Sequence, residues 1–496
     1  MSLAALTLAV LGGTFTLLKP ASNSANDDTL QALFPMSLLD AKLTVDPTNL
    51  DTIYEYYLLE NLASGLVRDD QEMPGGFAPV LAESYSQASD NTWIFRIRSG
   101  ATWSDGTAIK EDQWVDSFMH LSRSESRHIV ALKNLSKVTF DATSRDLTMI
   151  FSVPIGETLL HELSLADAVL IHPDNRQGNY QVTSGPYTVI GSNPESRTLD
   201  LAAVAGHPLL KQNSPRKIHL FGVKNLDDIA GAFLDYPVDV YLRPTPSARS
   251  IFRNAEKNAQ QMLKGHATSI TFFGFCGADP MAHNQEARSI FAKIVATAFK
   301  KISGTQKFTQ ENQMVPEGYV GRLADVPRYL PEADVKHVTF KPSATVNLNL
   351  IQAFKEWPDL IPELDSAAAQ FGWKFSYKWN AMTGEALPDG CFASVNVFKG
   401  NQKDPLGSWS FLFSEKGALA PFRAGIKGEI DAAGSESDVA RRDQHLKNVH
   451  LEVLKNHWAV PVLVDGNAIL ASNRVDLSQL NPFDMRLRYY LMEWRR

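Results

Sequence analysis

Short runs of alternating apolar residues and short runs at helical spacing follow one another along most of the chain, and together they predict a mixed α/β protein. Trp93-Ile94-Phe95-Arg96-Ile97-Arg98 alternates apolar and basic residues ahead of Gly100, the pattern of a half-buried strand. Trp103-Ser104-Asp105-Gly106-Thr107 then carries an Asp-Gly turn signal. From 110 to 121 the residues Trp114, Val115, Phe118 and Leu121 recur at helical spacing. Strands are predicted at 147–151, at 188–190 behind the Ser184-Gly185-Pro186-Tyr187 turn, and at 217–223, 238–242 and 270–275. Helices are predicted at 227–234 and 286–301. Residues 50–57 are β-branched and aromatic, and 58–62 look briefly helical before Gly65. Ser437 is placed to cap a helix running to about 457. Val439, Leu446, Val449 and Val453 would form its buried stripe, and Arg441, Arg442, Asp443 and Lys447 its wet side. Pro461 is expected to stop that helix before a strand at 460–464. No internal repeat or low-complexity tract interrupts the alternation.

The N-terminus departs from this pattern. Residues 3–18 are uncharged and mostly apolar, shorter than the ~20 residues of a membrane-spanning helix and matched to a secretory core segment. Small residues at 21–25 offer a cleavage site, so 1–25 are expected to be a signal peptide or export segment. No Lys or Arg precedes the apolar run, and a buried N-terminal helix is the alternative. Cys276 is the first cysteine, so none near the cut is available for a lipid anchor. No other stretch approaches membrane-spanning length.

Composition narrows the class. At ~150 residues per domain, 496 residues imply about three domains. A net charge of −7 argues against a basic nucleic-acid footprint. Two cysteines exclude a disulfide scaffold or a Cys-rich metal site. Cys276 and Cys391 could pair in an oxidising compartment or stay as buried thiols. The chain has no Gly-rich phosphate loop, no Gly-x-Ser-x-Gly elbow and no His-Glu-x-x-His. His445 and His450 lie five apart and read as solvated rather than metal-binding. Asp227-Asp228 suits a helix start. Neither an enzyme nor a cofactor is expected.

Pro79-Val80-Leu81-Ala82-Glu83-Ser84-Tyr85, then Thr92 to Arg98, Trp103 to Thr107 and Glu111-Asp112 resemble, in order and spacing, the family 5 extracellular solute-binding proteins. Ser184-Gly185-Pro186-Tyr187, Val238-Asp239-Val240 and Trp458-Ala459-Val460-Pro461-Val462 resemble further landmarks, and the likeness runs from about Asp46 to the C-terminus. It implies a type II periplasmic-binding-protein-like Venus-flytrap, α/β, with two lobes and an extra α/β domain. Lobe I would comprise 26–70, 171–268 and 465–496, the extra domain 71–170, and lobe II 269–464. The implied function is a periplasmic receptor of an ABC importer, exported and soluble. It would bind a peptide or peptide-like ligand between the lobes, work as a monomer with a membrane permease, and contact no nucleic acid. A degenerate member acting as a sensor or partner-binding protein, and a receptor for an oligosaccharide or other non-peptide solute, are the alternatives.

The resemblance also assigns a site. Asp51, Thr52 and Ile53 fall on a lobe I segment that makes main-chain bonds to an extended ligand. Trp379 and Phe398 fall on cleft aromatics of lobe II. Peptide-binding relatives hold the ligand's α-amino group with an aspartate where this chain has Asn401, and place arginines where it has Ala386 and Val395. An amide supplies no charge, and a charge-assisted bond is roughly twice as strong as a neutral one. Lys399 and Lys403 add positive charge nearby, and Asp404 could replace the missing acid only if the loop shifted by three residues.

Overall fold

Three sheets organise the computed structural model, each backing its own hydrophobic core. The structure describes residues 28–34, 47–50, 53–70, 73, 76–124, 129–177, 180–222, 238–243, 259–306, 308–325, 340–342, 344–380, 390–399, 404–415, 417–436, 438–466, 468–481 and 486–495.

The first core lies under a four-stranded antiparallel sheet, in the order 82–89, 92–97, 146–151, 135–141. Period-2 alternation turns Trp93, Phe95 and Ile97 inward while Arg96 faces water. The Trp103–Thr107 turn is closed by its own side chains. Gly106 takes a φ of 84°, which glycine adopts without a Cβ clash, and Asp105 accepts bonds from the Thr107 N–H at 2.9 Å and hydroxyl at 2.6 Å. Gln113 Oε1 accepts from the Lys110 N–H at 2.9 Å and Trp103 Nε1 at 3.1 Å. This fixes the start of the helix Glu111–Leu121, whose Trp114, Phe118 and Leu121 are buried.

The second core surrounds a seven-stranded sheet ordered 261–264, 468–471, 240–243, 29–34, 217–222, 198–203, 187–193. The strand Thr29–Phe34 lies parallel to both Lys217–Gly222 and Val240–Arg243. Residues 53–57, strand-like by composition, belong to the helix Ile53–Leu62; its Tyr57, Leu58, Leu59 and Leu62 are buried in the core, so tertiary burial overrides a weak local preference.

The third core is drawn from residues 270–463 around a six-stranded sheet ordered 309–310, 459–465, 269–275, 391–399, 346–351, 375–380. Its centre is aromatic: Phe291 makes T-shaped contacts with Phe273, Phe275 and Phe392 at centroid distances of 5.3–5.7 Å. Cys276 and Cys391 are disulfide-bonded, which resolves the two options the sequence left open.

The helix Val439–Lys455 requires three corrections. Asp438 caps it by accepting from the Arg441 N–H at 2.9 Å, and Ser437 lies outside the described residues. Leu446, Val449 and Val453 are fully buried as expected, yet Val439 is 66% exposed while Arg442 is 7% exposed and His450 not at all. A first-turn residue projects beyond the core that the rest of the stripe covers. His450 is satisfied inside: Nε2 accepts from the Met314 N–H at 2.9 Å, and Nδ1 faces the Gly321 carbonyl at 3.0 Å. The helix ends at Lys455, two residues before the expected end, and His457 beyond it takes a φ of 51°. Pro461 sits inside the strand Ala459–Asp465, opposite Phe272 where the register shifts. The helix predicted at 227–234 lies outside the described residues.

Candidate functional site

Two chain crossings join the seven- and six-stranded sheets. The strand Gln261–Lys264 belongs to the first sheet and Ser269–Phe275 to the second, while Ala459–Asp465 belongs to the second and Ala468–Ala471 to the first. The registers place the crossings side by side: Lys264 pairs with Ala468, and Ser269 pairs with Asp465. A Cβ added at Gly466 would stand 2.6 Å from the His266 carbonyl oxygen and 2.7 Å from that of Gly265, so the strands cross in contact only because residue 466 has no side chain. Paired short crossings between two rigid sheets form a hinge.

Register then shows which ends of the strands face this hinge. Arg243 pairs with Ala468, and Ala32 and Leu33 pair with Val240 and Tyr241. The carboxyl ends of 29–34, 217–222 and 240–243 therefore share the hinge side. In the other sheet Ser269 pairs with Lys399, and Ile351 with Asn380, so the strands ending at Ile351, Asn380, Lys399 and Asp465 also end there. Ligands of open α/β sheets bind outside the carboxyl ends of strands. The candidate cleft thus lies between two sets of strand ends.

Trp379, one residue before the end of its strand, is partly buried and packs against the third core. Lys355 holds its ammonium 5.4 Å from the Trp379 ring centroid, a cation–π arrangement. Phe398 is 1% exposed and its ring lies 5.3 Å from that of Trp409. The helix Leu406–Leu412 folds back over the strand and covers it, so Phe398 is a core residue and not a stacking surface. Asp404 is committed as well. Its Oδ2 is 2.7 Å from Arg442 Nη2, with both side chains under 10% exposed, and its Oδ1 accepts from the Leu406 N–H at 2.9 Å. Arg442, expected on the wet face of its helix, is drawn inside by this ion pair. Both oxygens of Asp404 are thus engaged within the protein. Val395 is buried. Asp51, Thr52, Ala386, Asn401 and Lys403 lie outside the described residues, and Ile53 is the first residue of its helix.

The landmark residues are pins of the fold. Asp239 is 2% exposed, accepts from the Gln31 N–H at 3.0 Å and the Ser472 hydroxyl at 2.9 Å, and pairs with Arg474. Ser184 Oγ accepts from the Ser64 N–H at 3.0 Å, and a Cβ at Gly185 would strike the Leu62–Ala63 backbone at 2.4–2.5 Å. Beside this turn His207 Nε2 lies 3.1 Å from the Ser184 carbonyl, and burial pushes its pKa down to about 4.

Sequence reading missed two charged clusters. Arg486 and Arg488 pair with Glu60 and Asp69, all four at 7% exposure or less. They lie 426, 417, 428 and 419 positions apart in the chain, and no local pattern signals such a match. Glu162 accepts three backbone bonds, from Val130, Ala131 and Leu132 at 2.6, 2.6 and 3.0 Å. Burial pushes its carboxyl up to about 7, opposed by those donors and by the Arg442 charge. Arg442 thus stands close enough for its charge to act on both Asp404 and a carboxylate of the first core.

Residues 76–291 match the family model "Bacterial extracellular solute-binding proteins, family 5 Middle". The periplasmic oligopeptide-binding protein OppA of Escherichia coli is 32% identical over 75 residues, covering 15% of this chain and 13% of OppA. The matched stretch spans less than a fifth of the length of the curated relatives. Whole-chain likeness comes from solved structures. Haemophilus influenzae OppA in complex with RPPGFSPFR superimposes with a TM-score of 0.74 at 12% identity, over 95% of this chain and 100% of that one. NikA from Staphylococcus aureus in complex with Ni(L-His)2 gives 0.74 at 14% identity, over 94% and 100%. The hinge, the paired sheets and the third core are thus those of a type II periplasmic-binding-protein fold, and within it residues 76–291 are similar to the bacterial extracellular solute-binding proteins, family 5.

Proposed function

We propose that this protein is a periplasmic solute-binding receptor of an ABC importer, holding a peptide or peptide-like solute between its lobes. The observation that carries the reading is the double crossing after Lys264 and after Asp465, which joins two sheets whose strand ends face one cleft. The family match and the fold shared with a peptide-bound and a nickel–histidine-bound receptor support it. Lobe I is assigned to 26–70, 171–268 and 465–496, the extra domain to 71–170 and lobe II to 269–464. Residues 1–25 are assigned to export, and no helix among the described residues is long and apolar enough to cross a membrane.

Function follows from the hinge. A ligand touching both lobes stabilises the closed state by its differential affinity for that state, and one touching a single lobe shifts nothing. The closed monomer then docks on a membrane permease, with ATP hydrolysis on separate subunits. The protein carries no catalytic role in this scheme. Among the proposed contacts, Trp379 supplies an aromatic surface from lobe II and the segment at Asp51, Thr52 and Ile53 supplies main-chain groups from lobe I.

Native mass spectrometry of protein isolated from a periplasm tests the reading. Extra mass that is lost on denaturation is the expected result. Bare protein whose radius of gyration does not shrink in periplasmic extract would overturn it. The commitment of Asp404 to Arg442 favours one second reading, a receptor that has given up cargo and serves as a sensor or partner-binding protein. That reading predicts bare protein and capture of a protein partner.

A further inference from the structure

Resting on the receptor reading for the motion of the lobes, we propose that the turn 129–132 of the first core clasps the helix Lys427–Ser435 of the third core on closure, so that a contact within the protein adds to whatever a ligand contributes. The first and second cores are bonded into one body. Ser104 and Thr183 exchange two hydrogen bonds of 2.9 Å, Ser64 bridges to Leu170, and Asp69 meets Arg486 and Arg488. The chain enters the third core after Lys264 and leaves it after Asp465, through the two crossings of the hinge. Such a joint lets the two bodies rotate. Any other contact between them is made or broken by that motion.

One such contact lies at Val130 and Gly434. A Cβ on Gly434 would stand 3.5 Å from Val130 Cγ1, ordinary van der Waals range, and 3.9 Å from Leu406 Cδ2. Residue 434 therefore sits between its own core and the turn of the other body. Both sides are held in place. Glu162 accepts from the Val130, Ala131 and Leu132 N–H groups, so a buried side chain fixes the turn. Opposite it, the helix Lys427–Ser435 packs on Val439–Lys455, where Glu429 accepts from Asn448 at 3.2 Å and faces His445 Nδ1 at 2.8 Å. Charge favours the same approach. Arg442, on the second of these helices, pairs with Asp404, and its charge also opposes the upward push of burial on Glu162. Because Glu162 is the residue that fixes Val130, the apolar touch and the charge act at one turn. A contact present only in the closed state shifts the population toward that state by its own free energy, with or without a ligand.

Val130→Cys combined with Gly434→Cys in the full chain tests the contact. Both native cysteines are bonded to each other, so the new pair has no competing thiol. A disulfide needs Cβ atoms about 3.5–4.5 Å apart. In mild oxidant this pair should cross-link at least ten-fold faster than Val130→Cys with Gly428→Cys, a position on the same helix where a Cβ meets nothing within 4 Å among the described residues. Equal rates overturn the proposal. Because changes on the helix can weaken its fold, Val130→Trp is the second variant. Val130 is half-buried and is not a member of the first core, so the melting temperature should hold, while the larger ring keeps the bodies apart and raises the radius of gyration in small-angle scattering. An unchanged radius of gyration overturns the proposal. Neither measurement uses a cargo. Fast cross-linking in protein that is bare by native mass spectrometry upholds the clasp whatever becomes of the receptor reading. Equal rates in protein that carries a cargo overturn the clasp and leave the receptor reading standing.

Discussion

The core around the seven-stranded sheet is assembled from three separated stretches of chain, 30–63, 166–242 and 469–492, whereas the core around the six-stranded sheet comes from 270–463 alone. The first is pinned by buried polar groups. Arg486 and Arg488 meet Glu60 and Asp69, and Asn61 bonds to the Leu487 carbonyl at 2.7 Å and the Tyr489 N–H at 2.9 Å. The second is held by packed aromatics and the Cys276–Cys391 bond. Apolar packing is non-directional and suffices where the chain itself keeps the pieces close. A terminal segment arriving from more than 400 residues away must find one register, and directional charged groups accept only one. The difference teaches that this fold spends buried charge on register and leaves cohesion to hydrophobic contact.

Breaking the polar pin should have the largest effect. Arg486→Ala leaves Glu60 and Asp69 short of positive charge inside the core, a change of about 3–5 kcal/mol, measured by chemical denaturation. The counterpart in the other core is Cys276→Ser with Cys391→Ser. The bond closes a 115-residue separation, and its loss should destabilise by about 2–4 kcal/mol, with the unaltered protein showing a matching drop in reducing agent. A pH series sharpens the comparison. Burial holds His450 down at about 3 in one core and His207 at about 4 in the other. Both pKa values lie below the unfolded value of 6.5, so the associated stability is complete above pH 6.5 and is lost as pH falls toward 3–4. His450→Phe should weaken that acid dependence relative to the unaltered protein in melting curves between pH 7 and 4. The smallest effect belongs to Lys301→Ala, which removes a partly exposed pair with Glu363 at 2.7 Å; less than about 1 kcal/mol is expected.

Sequence and structure agree best where a local period carries the signal. The strand Thr92–Ile97, the Asp105–Gly106 turn and the helix Glu111–Leu121 are complete within thirty residues, and each is stabilised by contacts to near neighbours. The helix Val439–Lys455 was legible in its period but not in its environment, because periodicity assigns a face and does not say what packs on it. Arg442 is buried beside Asp404, with which it pairs, and His450 is satisfied by Met314 and Gly321, all of which come from elsewhere in the chain. Phe398 was misassigned for the same reason: the covering helix Leu406–Leu412 is invisible to a count along the strand.

By itself the sequence determined the α/β alternation, many of the strands and helices, and the resemblance to family 5 carried by short motifs, because these rest on side-chain periods and turn chemistry spanning a few residues. Only the tertiary structure decided the partners of the buried charges, the pairing of the cysteines, the contact of Gly466 with the Gly265–His266 backbone and the capture of Asp404 by Arg442. Each of these joins residues far apart in the chain, and the energy of a buried charge depends on what surrounds it in space.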